Sequence, residues 1–350
     1  MVMSHTRQGE RASRGEPRDR WTPDGGWPEG DEQPGGEAPR RFGAKEFAGL
    51  STWRPLLEII LTWAVIVMIV ALYLRYPSPV AFAAAFVLVA SRQYALLILL
   101  HDSFHSLLHP SRRINDLLGA LLVGAFCGSS FWPSRAAHLE HHRKLGEPDD
   151  PEFFLHCAAA PNEKRSPAAF TRHFLVLISG RQVLYTYFGG DTSAAGSVLK
   201  RLRDALPRML PVVGAQALLL ALFVSAGAWT AYFTLWVLPL LTLVILFNGL
   251  RAFCDHANVS DEPGAKEHRL VSYISSPLER FFLAPFHMNY HAEHHLFPYV
   301  PHYKLPALRR KIMASPNHSS LVQWRRGYLS FAREFLRAQR GTTPPVACRP

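Results

Sequence analysis

Residues 56–74 read LLEIILTWAVIVMIVALYL, and such a stretch has few folds open to it. At ~1.5 Å per helical residue it is long enough to cross ~30 Å of hydrocarbon. A backbone in lipid must satisfy its own hydrogen bonds, so the segment is predicted to be a transmembrane helix. Residues 79–100, 210–228 and 231–249 have the same character. The first two are joined by a turn holding Pro77 and Pro79, and the second two by a tight turn near Gly227. The predicted fold is therefore all-α and integral to a membrane: four transmembrane helices in two hairpins, with a helical cap on one side.

Charge gives that side a name. The outer turns, 76–78 and 229–230, hold no Lys or Arg, whereas Arg112, Arg113, Arg135, Arg143, Lys144, Lys164, Arg165, Arg172, Arg181, Lys200, Arg201 and Arg203 lie on the other side. By the positive-inside rule both termini and the large loops are expected in the cytoplasm. The net charge of +11 is placed around apolar segments, which points to a membrane surface and away from nucleic acid. Cys127, Cys157, Cys254 and Cys348 are scattered with no CxxC pair, as in a reducing compartment.

Three domains follow. Residues 1–50, rich in Gly, Pro, Glu and Arg, form a tail expected to be disordered. Residues 51–312 carry the membrane domain, and residues 313–350 a basic cytoplasmic tail. The apolar but short segment 115–131, interrupted by Gly119, Gly124 and Gly128, is read as re-entrant or interfacial. A crossing there would put residues 138–142 on the wrong side. Residues 167–190 are read as an amphipathic helix at the interface. Glu58 and Arg92 interrupt apolar spans; they read as side chains reaching for the headgroups, with a Glu58–Arg92 ion pair as the sharper alternative.

The chain has 17 histidines, and eight stand in three short words: HDSFH (His101, His105), HLEHH (His138, His141, His142) and HAEHH (His291, His294, His295). Spacings of three and four put the imidazoles on one helix face. Imidazole is the commonest biological metal ligand and suits iron, zinc, copper and nickel. Eight such ligands are too many for one ion and about right for two, whereas a structural zinc site stops at about four. Neither HExxH nor HxxEH occurs, so a zinc peptidase is not expected. His256, just past the fourth span, is a ninth candidate. His109 and His287 extend the same faces and are assigned supporting roles. Each word also carries an acid, Asp102, Glu140 or Glu293, able to accept the outer ring N–H of a ligand histidine.

HDSFHSLLHPSRRINDLLG, HLEHHRKLGEPDDPE and LERFFLAPFHMNYHAEHHLFPYVPHYKLPAL together resemble the three histidine boxes of the membrane fatty acid desaturase superfamily. The resemblance covers roughly residues 55–312. It implies a non-haem centre of two irons that activates O₂ and removes hydrogen from an unactivated C–H bond of a lipid. Carried over by position, the ligands are His101, His105, His138, His141, His142, His291, His294 and His295, with His256 matching a further family histidine. Some members place an Asn four residues before that histidine; here the position is Ala252. Electrons are expected from an external donor, a ferredoxin or a cytochrome b5-like protein, docked on the basic face.

A methylene in an alkyl chain offers no acid, base or leaving group, so the cofactor carries the hard chemistry. The leading expectation is a desaturase acting on a fatty acyl lipid or thioester, its substrate passing an apolar path that FCGSSFW (126–132) could line. A hydroxylase or ketolase on the same scaffold, acting on a carotenoid or alkane, is the alternative. A non-enzymatic metal-binding membrane protein is the third reading, disfavoured because transport sites usually lie near the bilayer midplane.

Overall fold

The computed structural model describes residues 43–145, 147, 149–156, 167–179, 198–256, 270–316, 319 and 322–338. The tail expected over 1–50 lies almost entirely outside them, as do Lys164, Arg165, residues 180–190 and the end of the basic C-terminal tail.

The chain is mostly helical, and four helices are long and apolar enough to cross a membrane: α1 (Arg54–Arg75), α2 (Pro79–Phe104), a third within α6 (Val198–Ser225), whose apolar part is Leu206–Ser225, and α7 (Trp229–His256). Local chemistry sets their ends. Ser78 caps α2 by accepting from Ala81 N (3.1 Å), and Pro79 supplies a first residue that needs no N–H partner. Gly227, at φ +67, makes the turn between α6 and α7. α1 and α2 pack side by side, while Leu57, Ile60, Leu61, Val67, Met68 and Leu72 of α1 face outward. So large an exposed apolar surface fits lipid and not water.

Two spans run further than their apolar sequences. α2 continues to Phe104 and α7 to His256, so each carries histidine at its end. α7 is irregular: Tyr232–Val237 is π-helical, and the chain breaks at Thr242 before resuming at Leu243. Between α2 and the next long helix, α3 (Arg112–Leu117) opens into a π-helical segment, Leu118–Gly124. This is the segment expected to be re-entrant or interfacial; it is not among the four span candidates. Buried Asn115 anchors it, accepting from Leu108 N (3.0 Å) and donating to Ser103 O (2.9 Å). Trp63 of α1 donates to Leu122 O (3.0 Å) and stacks on Trp236 of α7 at 5.4 Å.

α4 (Phe131–Lys144) carries the second histidine word, α5 (Pro167–Ile178) packs on α7, and α8 (His291–Leu296) carries the third. α9 spans Leu305–Ala314 and α10 Tyr328–Ala338. β1 (Val271–Ile274) and β2 (Gln323–Arg326) pair in parallel, a small sheet the sequence reading did not anticipate. Tyr328 and Phe331 of α10 pack with Phe253 and Tyr273, so the folded body runs past residue 312.

The Glu58–Arg92 pair does not form. Glu58 faces Arg54 (3.0 Å) and His302 (2.9 Å). Arg92 donates to Ser91 Oγ (2.9 Å) and Phe281 O (3.0 Å) and lies 4.0 Å over the Phe281 ring. Each finds a partner in the folded body, so neither extends freely to a headgroup.

Candidate metal centre

Four helix ends deliver the histidines. His101 lies in the last turn of α2, and His105 follows where the chain leaves the helix. α4 presents His138, His141 and His142 on its buried face. α8 presents His291, His294 and His295, and α7 ends on His256. All nine rings are buried, each less than a tenth exposed. The spacing of three and four that groups each word on one face thus turns all three words inward.

The rings sort into two groups. His101, His105, His138, His142 and His294 each offer a nitrogen within 4.8 Å of the others, and so do His141, His256 and His295. His142 and His295 join the groups, stacked at 3.9 Å. His291 stands beside the second group: its Nε2 lies 2.9 Å from His256 Nε2 and 3.0 Å from His295 Nε2.

This donor set fits metal ions. His138 Nε2 lies 2.9 Å from His105 Nε2 and 3.1 Å from His142 Nε2. A neutral imidazole has one N–H and one lone pair, so three nitrogens facing one another are not all satisfied by shared protons. Neither nitrogen of His101 has a hydrogen-bond partner, nor has His294 Nε2, although all are buried. Such groups are costly unless a cation meets their lone pairs. Burial, then the charges of neighbouring imidazoles, holds His105, His142, His294 and His295 well below the usual histidine range. They stay neutral, which is the form that binds metal.

Carboxylates orient the second word, but not the expected one. Glu140 pairs outward with Arg143 and with Lys144 (2.9 Å) and touches no histidine, because its place on α4 is on the opposite side from the buried face. His141 Nδ1 donates instead to Asp150 (2.9 Å), and His138 Nδ1 to Glu152 Oε1 (3.0 Å). With Nδ1–H committed outward, each Nε2 lone pair is turned inward. Both acids come from DDPE, nine to fourteen residues beyond the histidines they orient.

Asp102 lies 3.6 Å from His101 Nδ1 and 2.6 Å from His302 Nδ1, so His302, unassigned from sequence, belongs to the site's surroundings. Glu293 is buried and accepts from Ser272 Oγ; burial pushes its carboxyl up to about 7. Arg135 donates to Ser106 Oγ (3.0 Å) and Asp116 Oδ1 (3.1 Å), tying α4 to the turn after His105. Ser106 holds φ +60 there, a strained value for a non-glycine residue. Arg251 donates to Tyr94 Oη (2.8 Å) and Asp255 (2.7 Å), beside His256. Ala252 is buried in an apolar cluster.

Among the described residues, His109, His173 and His287 are not in either group. His109 Nδ1 accepts from Ser111 N (2.9 Å). His287 lies against Tyr290, and burial followed by neighbouring charge pulls it down to about 4. His173 packs on Phe174 and Phe253. His5, His268 and His318 lie outside the described residues, as does the side chain of His156.

Comparison with known proteins agrees with this geometry. Residues 77–327 match the fatty acid desaturase family. Among relatives, a beta-carotene ketolase of Paracoccus sp. (strain N81106) is 29% identical over 236 residues, covering 67% of this chain and 81% of that protein. A zeaxanthin 4-ketolase of Chlamydomonas reinhardtii is 25% identical, covering 65% of this chain and 44% of that protein. A dihydrorhizobitoxine desaturase of Bradyrhizobium elkanii is 23% identical, over 68% of this chain and 69% of that protein. With most of its length matched and its histidine words converging, the chain belongs to the fatty acid desaturase family and is an oxygen-dependent oxidoreductase.

Proposed function

We propose that this protein is a membrane oxygenase that oxidises a ring methylene of a carotenoid to a ketone, using two irons held by nine histidines. The observation that carries the chemistry is the convergence of buried imidazoles in two adjoining groups. His101, His105, His138, His142 and His294 would hold one iron, and His141, His256, His291 and His295 the other. Bound there, the iron pair would activate O₂ and supply an oxidant strong enough for an unactivated C–H bond. The carotenoid substrate rests on the ketolases among the relatives.

The chain's own residues do the rest. Asp150 and Glu152 fix the ring orientations of His141 and His138. The enclosing helices keep water from the reacting atoms, which protects a reactive oxidant. With Ala252 at the position where the resemblance implies Asn in some family members, His291 would complete the second group, a reading supported by its Nε2 at 2.9 Å from His256 and 3.0 Å from His295. The histidine-bearing helix ends and the basic loops face the cytoplasm, where a ferredoxin or cytochrome b5-like donor delivers electrons.

A second reading, acyl desaturation, has its own support in the family's character and in the desaturase relative. Product analysis separates the two. Expressed with a competent donor in a host that accumulates carotene, the protein should convert it to a product with one added oxygen and two fewer hydrogens. Fatty acyl chains that lose two hydrogens, with carotene untouched, would overturn the ketolase reading in favour of desaturation. Asp150→Asn should lower iron retention under chelator dialysis about 10–100-fold. Glu140→Ala, which breaks only an exposed surface pair, should retain iron as wild type does.

A further inference from the structure

A cavity of about 520 Å³ lies between the π-helical segment, the start of α4 and the start of the third span. Its walls include Ala120, Phe131, Trp132, Pro207 and Pro211, with Arg208 beside them. Its size is that of sites that take compact organic ligands, roughly 300–1,000 Å³. Ser129, Ser130, Phe131 and Trp132 of its lining belong to FCGSSFW, the segment expected to line a substrate path.

Sequence and backbone explain why it is there. Pro207 and Pro211 both lie inside α6, four residues apart and so on one face. Each removes a helical N–H bond and sets a rigid ring on that face. Opposite, the π-helical turns re-aim the chain around Ala120, as such bulges do at functional sites. Gly119 permits the closeness: a Cβ there would fall 2.7 Å from the Phe131 ring.

The lining is chemically quiet. Ser129 Oγ is paired with Ser134 Oγ (2.9 Å), and Ser130 Oγ donates to Arg208 O (3.1 Å). With both hydroxyls committed, the walls offer aromatic and proline rings to a neutral guest. Trp132 is 59% exposed and stands with Arg208 near one end of the span, the pairing expected at a headgroup boundary. Two phenylalanine rings in series separate the cavity from the histidines. Phe131 touches Phe104 at 5.7 Å between centroids, and Phe104 touches His138 at 5.7 Å.

We infer that this cavity receives the cyclic hydrocarbon end group of the substrate as it leaves the bilayer, and that Phe131 and Phe104 form the partition between that vestibule and the metal centre. A compact aliphatic ring can lie against walls of Phe, Trp and Pro and gain dispersion contacts with them. The inference rests on the carotenoid reading above.

The test is equilibrium binding to the full-length, iron-loaded protein in nanodiscs. The probes are β-carotene, which has rings at both ends, and an open-chain carotene of the same carbon number. Ala120→Phe fills the cavity, and Trp132→Ala, at an exposed position, removes a wall without burdening the fold. Each should weaken β-carotene about tenfold or more while open-chain carotene changes less than about twofold. Iron content and melting temperature should match wild type. β-Carotene binding unmoved in both variants, or both carotenes weakened alike, overturns the vestibule alone. Wild type that binds no carotene overturns the carotenoid reading, and the vestibule with it.

Discussion

Replacing His142 by alanine is expected to cost the protein at least one of its two proposed irons and to cut product formation more than about a hundredfold. His142 belongs to the group of five and its ring stacks on His295 of the other group. It is fully buried, and its Nε2 lies 3.1 Å from His138 Nε2. Its ring stands 4.5 Å from His105, 5.0 Å from His294 and 3.9 Å from His295. Alanine removes one donor from the group of five and leaves a gap beside the group of three. His105 and His138 would then approach each other with no third nitrogen between them and the neighbouring group. Outer carboxylates alone are worth about 10–100-fold, so a direct ligand at the junction should exceed that range. Iron quantification on purified protein, paired with product analysis, reads the effect. His109→Ala is the matched control, since His109 only accepts from a nearby backbone N–H. Two irons and undiminished turnover in the His142 variant would remove this residue from the centre.

Much of this arrangement is legible along the chain, for reasons that differ from element to element. Apolar runs reveal the spans because lipid leaves a backbone no alternative to helix. Their ends are less legible. A hydropathy reading stops at the first polar residues, whereas α2 runs on through His101 and α7 through His256 because those side chains are buried by other elements. The histidine words declare themselves by helical spacing. Their partition into groups of five and three does not, since it depends on how four helix ends meet.

The partners of the histidines were the hardest to foresee. Glu140 stands inside its word yet pairs with Lys144, because a helix carries neighbours one residue apart to different faces. Asp150 and Glu152 stand beyond the word, on a turn that folds back. A search for carboxylates in the loop after the helix, and not only within it, would have found them. His302 reaches Asp102 across 200 positions, and Arg251 reaches Tyr94 across 157. No local pattern signals such contacts. The β1–β2 pair is equally silent, being two four-residue strands brought side by side by the fold.

His302 yields the second large effect. Its Nδ1 lies 2.6 Å from Asp102 Oδ2 and its Nε2 2.9 Å from Glu58 Oε2, in turn paired with Arg54 at 3.0 Å. Both ring nitrogens face carboxylates, and only the imidazolium can offer a proton to each. Burial opposes that charge, but Asp102 and Glu58 outweigh it and push His302 up to about 9. A base with its native pKa raised stabilises the fold fully below its unfolded value, about 6.5, and loses that contribution as pH rises through about 9. The shift corresponds to about 3 kcal/mol. The histidines whose values are depressed act the other way, and their contribution is complete once pH passes about 6.5. Glu293, pushed up to about 7, loses its share as pH rises through about 7, in the same direction as His302. His141, also raised, acts in the same direction, so the part of the slope between pH 7 and 9 that belongs to His302 is the part removed by replacing it. Thermal melts in detergent should show a falling melting temperature across that window for wild type. His302→Gln, unable to carry the charge, should melt lower at neutral pH and show a markedly shallower fall over the same window. Equal slopes in the two proteins would mean that His302 is neutral in the folded state and that the Asp102–His302–Glu58 link adds no pH-dependent stability.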